Sequence, residues 1–177
     1  MHLLRHPLPR PAPGHPLTAA GLPRLLVGLG NPDRGDDGIG PAVVARVTPR
    51  LPGGGAAPRT ATTADPAELL DLWAGTGLAV VVDAVRAGPG ARPGSLILLR
   101  TAPAEPPLPA GLTAGPGGTH ALGLAEAVEL GRALSRLPRR LVVLGVVAAG
   151  FAAGAPLSPP VAAAVDAAAD RVARLLR

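Results

Sequence analysis

Two periodicities share this chain. Unbroken apolar runs occur at Leu25–Leu29, Leu78–Val82 and Leu141–Val146, and Ser95–Leu99 is apolar after its first residue. Short runs of this kind, bounded by Gly, Pro or Asp, predict strands buried on both faces of a sheet. A weaker run over 57–63 predicts one more strand. Between them the apolar positions recur at helical spacing. Gly40-Pro41 precedes Ala42–Val47, a helix with Pro in its first turn. Asp65-Pro66-Ala67-Glu68 reads as an N-cap followed by Pro at the first helical position, with the helix running through Leu69, Leu70 and Trp73. A third helix opens at Thr119-His120 and carries Leu124, Ala127, Val128, Gly131 and Leu134 on one stripe. A final helix, capped by Ser158-Pro159, aligns Val161, Val165, Ala168, Val172 and Leu175.

Strands that alternate with helices predict an α/β fold: a three-layer α/β/α sandwich around a mostly parallel sheet of about five strands. Residues 1–23 are Pro-rich and show no periodicity, so they are expected to be a disordered N-terminal tail ahead of a single domain over 24–177. The Pro/Gly stretch 101–118 is too long for a simple connection and reads as a lid or binding loop.

Composition narrows the chemistry. A length of 177 residues suits one domain, and with 47% apolar but 1% aromatic residues the core must be built from Leu, Val and Ala. Cysteine is absent, which excludes disulfides, Cys–zinc sites and a thiol nucleophile. No apolar run approaches the roughly 18–20 residues of a membrane helix. The start MHLLRHPLPRPAPGHP lacks the apolar stretch of a secretory signal, so neither secretion by such a signal nor a membrane span is expected. The net charge of +5 comes from scattered Arg, with Arg139-Arg140 the one adjacent pair, so no nucleic-acid partner is expected. No large apolar surface stripe is left over, which favours a monomer.

In parallel α/β sheets, sites form where the strands end at their carboxyl edge. Three features fall there: the loop Asn31-Pro32-Asp33-Arg34-Gly35-Asp36-Asp37-Gly38, then Asp83 closing the central apolar strand, and His120. Each has an ordinary reading. The Asp36-Asp37 pair suits a helix N-terminus, Asp83 a turn cap, and His120 a capping or packing role. Their convergence on one edge makes a second reading available. Two carboxylates and an imidazole form an O,O,N donor set suited to a borderline divalent ion such as nickel or zinc, with positions left for water or substrate. Three such ligands bind modestly, so a transiently presented metal fits better than a resident one, and no tightly bound cofactor is expected. Ser95, Ser135 and Ser158 lie in a strand, near a helix end and at a cap, and none is placed as a nucleophile. Gly28-Leu29-Gly30 begins like a dinucleotide-binding turn, but the third glycine of that spacing is Asp33, whose charge would face the pyrophosphate.

Taken together, the segments GLGNPDRGDDGIGP, VVVDAVRAGPGARPGSL, THALGLAEAVEL, LPRRLVVLGV and LSPPVAAAVDAAADRVARLL resemble the hydrogenase maturation endopeptidases, in order and spacing, from about Arg24 to Leu176. The resemblance implies a twisted, mostly parallel sheet between helical layers, phosphorylase/hydrolase-like, and a cytoplasmic, aspartic-type endopeptidase whose recognition is metal-dependent. Its partner is the large-subunit precursor of a [NiFe]-hydrogenase, from which it removes a C-terminal extension after nickel insertion. The nickel is then recognised in the precursor. The family's metal-binding and catalytic positions fall on Asp37, Asp83 and His120. The first of these is Glu in some members, so Asp37 reaches one methylene less. The G-G-T or D-G-T segment usual after the second strand is replaced by Thr60-Ala61-Thr62-Thr63-Ala64. A non-catalytic, metal-sensing chaperone that docks on the precursor is the alternative. The peptidyl-tRNA hydrolases also open on GLGNP, but their R-H-N is missing: no His lies between His15 and His120.

Overall fold

The branched runs pair into one sheet. The computed structural model describes residues 21–54, 57–86, 88, 90–106 and 123–177. Its strands are β1 (Arg24–Leu29), β2 (Arg59–Thr63), β3 (Leu78–Val85), β4 (Leu96–Thr101) and β5 (Arg140–Val147), in the order β2-β1-β3-β5-β4. β2, β1, β3 and β5 are parallel, and β4 lies antiparallel on β5. Chain length explains that exception. A parallel return after β3 needs a crossover of roughly a dozen residues or more, usually a helix. Residues 86–95 are fewer and rich in Gly and Pro, so the chain turns at the sheet edge and runs back.

The helices are α1 (Ile39–Val47), α2 (Leu69–Leu72), α3 (Leu124–Ala133) and α4 (Pro159–Leu175). Strand alternation splits the core into two faces. Leu78, Val80, Val82 and Ala84 of β3 face the side covered by α1 and α4, where Val43, Val47, Ala168 and Val172 are buried. Ala79 and Val81 face the other side with Leu70 of α2, Trp73, and Ala127 and Val128 of α3. This is the three-layer α/β/α arrangement with a mostly parallel sheet that the strand and helix pattern predicts. Ahead of β1, the Pro23 carbonyl accepts the Gly77 N–H at 2.9 Å.

Local chemistry sets the element ends. The Asp65 side chain accepts the Ala67 N–H at 2.9 Å, as its N-cap role predicts, but it opens a 3-10 turn, Pro66–Glu68, that leads into α2. Three details depart from the sequence pattern. β3 does not end at Asp83: it runs on to Val85, because β5 supplies ladder partners as far as Val147. Leu134 is not core. It is the C-cap of α3 and is 54% exposed, since the helix ends at Ala133. Ser158 does sit at the N-cap of α4, yet its side chain makes no capping bond. The predicted opening of α3 at Thr119-His120 and most of the predicted lid, residues 107–118, lie outside the described residues.

One contact places the loop that follows β1. A Cβ on Gly40 would lie 2.3 Å from the Leu29 carbonyl oxygen and 2.7 Å from that of Val82. The first turn of α1 therefore rests directly on the carboxyl end of β1 and on β3 at Val82, at a distance only glycine allows.

Candidate active site

The site is built at the carboxyl edge of β1, β3 and β5, where an α/β sheet offers free strand ends. β1 leaves the sheet at Gly30, whose φ of +122° lies in a region glycine adopts freely. Its N–H donates to the Thr63 carbonyl at 2.9 Å, and a Cβ there would fall 2.0 Å from the Asp37 carbonyl oxygen. The loop then folds back on itself. The Asn31 N–H donates to Asp37 Oδ2 at 2.9 Å, and the Asn31 side-chain oxygen accepts the Asp33 N–H. A 3-10 turn, Gly35–Gly38, carries both acids of the pair.

The pair divides at once. Asp37 is half-buried and its charge acts on Asp83. Asp36 is buried and turned toward the β5–α4 loop. Its Oδ2 accepts the N–H groups of Ala149 at 2.7 Å and Gly150 at 3.1 Å and the Ser158 hydroxyl at 2.9 Å, while Oδ1 accepts the Ser158 N–H at 2.6 Å. Burial alone would raise the Asp36 carboxyl, but the Ser158, Ala149 and Gly150 hydrogen bonds outweigh it and hold it below the usual carboxylate range.

Asp83 has the opposite surroundings. It lies inside β3 opposite Gly145, among the buried residues, and its Oδ2 has no hydrogen-bond partner among the described residues. Burial, reinforced by the negative charge of Asp37, pushes its carboxyl up to about 8, with the Ala84 N–H opposing. An orphaned buried oxygen beside a second acid is a costly arrangement in isolation. It becomes favourable when a proton or a cation occupies the gap.

The structure thus brings Asp37 and Asp83 into electrostatic contact at one edge. His120 lies outside the described residues, and among the described residues no group of three or more His, Cys, Asp or Glu gathers. The altered segment, expected after the second strand, lies almost wholly inside β2, and at its end the Thr63 hydroxyl is engaged internally: it donates to Glu68 Oε2 at 2.6 Å and accepts the Asp65 N–H at 3.0 Å. Two features were not visible in the sequence. One is the tie between Asp36 and Ser158, residues whose types suit ordinary helix starts. The other is the Arg86 guanidinium, which stacks 4.8 Å from the centre of the Phe151 ring and joins the end of β3 to the β5–α4 loop.

A family model described as HycI, hydrogenase maturation protease, matches residues 63–175. The chain belongs to the hydrogenase maturation protease family. The matched span contains Asp83, and the loop bearing Asp36 and Asp37 precedes it. Solved structures extend the likeness further. The hydrogenase maturating endopeptidase HybD from E. coli is 25% identical, with a TM-score of 0.67 over 88% of this chain and 93% of that one. An endopeptidase from Escherichia coli solved in solution is also 25% identical, with a TM-score of 0.73 and the same coverage. The HybD maturation protease from Thermococcus kodakarensis shares the fold at 21% identity and a TM-score of 0.62, over 88% of this chain and all of that one (100%). No curated protein matches the chain by sequence. Among the described residues, no helix of this family member is long and apolar enough to cross a membrane.

Proposed function

We propose that this family member is an endopeptidase that removes the C-terminal extension from the large-subunit precursor of a [NiFe]-hydrogenase once nickel is in place. The observation that carries the reading is Asp83: a buried carboxylate with one bare oxygen, beside a second acid, at the edge where α/β enzymes hold their substrates. The donors fit a borderline divalent ion, since two acids that repel each other are relieved by a cation between them. Asp37, Asp83 and His120 would hold nickel carried by the precursor, and the ion supplies Lewis-acid polarisation of the scissile carbonyl or of a water. With no cation present, Asp83 keeps its proton near neutral pH and offers little attraction. A precursor without nickel then lacks the bridge that docks it, which makes cutting conditional on metal insertion. Asp37 is kept on station by the Asn31 N–H and by the close packing at Gly30.

The test is direct. Nickel-loaded precursor incubated with the protein releases a C-terminal peptide, detected by mass spectrometry, and nickel-free precursor does not. Asp83→Asn and His120→Gln abolish release while their melting curves remain cooperative. Amides are poor ligands for a borderline metal, though they keep the size and much of the hydrogen bonding. Full cleavage by folded His120→Gln would remove His120 from the site. Tight binding of the precursor with no release of peptide would make the protein a docking chaperone.

A further inference from the structure

The first acid of the pair, Asp36, has its lone pairs taken up within the fold. A carboxylate offers about four lone-pair sites. Four donors approach this one, all from the β5–α4 loop or the start of α4. Little acceptor capacity remains for a metal or a substrate proton. The main chain continues the same seam: the Gly35 N–H donates to the Ala155 carbonyl at 2.9 Å, the Asp36 N–H to that of Gly150 at 3.0 Å, and the Gly154 N–H to that of Asp33 at 2.7 Å. Ser158 stands at a helix N-cap, yet its hydroxyl is turned to Asp36 instead of to its own helix.

We propose that Asp36 is a positioning residue, a buried clamp that locks the β5–α4 loop to the loop after β1 and thereby fixes the main chain of Asp37 and the Phe151 wall beside the end of β3. The inference rests on the proposed function insofar as Asp37 is read there as a ligand. Asn at this position keeps the shape but turns an NH2 group toward N–H donors, so the seam opens. Ser158→Ala removes one donor of the four.

Three measurements test the clamp. Amide hydrogen exchange needs no functional assumption: Asp36→Asn speeds exchange at Ala149, Gly150 and Ser158 by about tenfold or more, while the β3 and β5 amides keep their protection. Calorimetric titration with nickel(II) alone gives a binding signal for the wild type, none for Asp83→Asn, and about 10- to 100-fold weaker binding for Asp36→Asn, the usual cost of releasing a ligand's support. Precursor processing, run well below each melting point, falls by about 100-fold in kcat/KM for Asp36→Asn. It falls by about fivefold for Ser158→Ala and largely returns in Ser158→Thr, which restores the hydroxyl. Unchanged exchange at the three amides overturns the clamp whatever the protein does. Faster exchange with wild-type nickel affinity and processing overturns its positioning role. A wild type that neither binds nickel nor cuts the precursor sinks the proposed function instead, and the exchange result alone then decides the clamp.

Discussion

Asp36 and Asp83 are both 1% exposed and lie near one sheet edge, yet their surroundings are opposite. The first sits where two loops meet and accepts four hydrogen bonds. The second sits in the middle strand of a hydrophobic layer and leaves one oxygen without a partner among the described residues. Burial by itself raises the pKa of both. Donors reverse the direction at Asp36, and the neighbouring charge of Asp37 adds to it at Asp83. The comparison separates a structural acid from a poised one: a buried carboxylate whose lone pairs are filled holds the fold together, and one left bare waits for a proton or a cation.

The contrast can be broken most severely at Gly30, against which Asp37, the acid whose charge acts on Asp83, is packed. Gly30→Ala forces a Cβ to 2.0 Å from the Asp37 carbonyl and demands a φ of +122° from alanine. The loop must move, at a cost of about 4 kcal/mol by urea denaturation, from overpacking and backbone strain together. Next comes Asp36→Asn, which strands buried N–H donors and loses about 3 kcal/mol in the same experiment. Its pH dependence follows the lowered pKa. The stabilisation by Asp36 is fully present above the ordinary carboxyl value of 3.8 and is lost as pH falls through the lower folded-state value, so the variant lacks that part of the acid transition.

Asp83→Asn carries the opposite sign. Because the folded-state pKa is raised to about 8, the metal-free wild type loses up to about 1.4 kcal/mol per pH unit as pH rises from 3.8 toward that value. The variant has no such slope. It is more stable than wild type by about 1.5 kcal/mol at pH 5, and the gap widens with pH in thermal melts. A wild type whose stability is flat over this window would show that Asp83 is partnered after all. The smallest effect is Ser158→Ala, a loss of about 1 kcal/mol for one hydrogen bond of four. Additivity with Asp36→Asn in a double-mutant cycle would show that the two side chains do not act as a unit.

The layer order and most elements were legible because the strands are unbroken apolar runs and α4 has a clear stripe. The limits have physical causes. The direction of β4 depends on the length of the preceding link, not on its own residues. Asp83 reads as a terminus because an acid follows five apolar residues, but in a sheet the partner strand decides where pairing stops, and β5 carries it to Val85. Leu134 fits the helical period and still falls outside the core, because the period says nothing about where the helix ends. In the Asp36-Asp37 pair, spacing alone does not tell which acid faces the β5–α4 loop. That depends on a serine far along the chain.

That distance has a consequence for how the protein is made. Asp36 and Ser158 are 122 residues apart, so part of what fastens the loop after the first strand comes from the stretch that follows the last. Contacts so remote in sequence form late, after the intervening chain has found its place. A chain still emerging from the ribosome carries Asp36 and Asp37 well before it carries the serine to which Asp36 is tied. The acids are in the polypeptide early, but the seam that holds Asp36 closes only when the start of α4, the final helix in the sequence, has been made, so a copy truncated before it holds the residues without that seam.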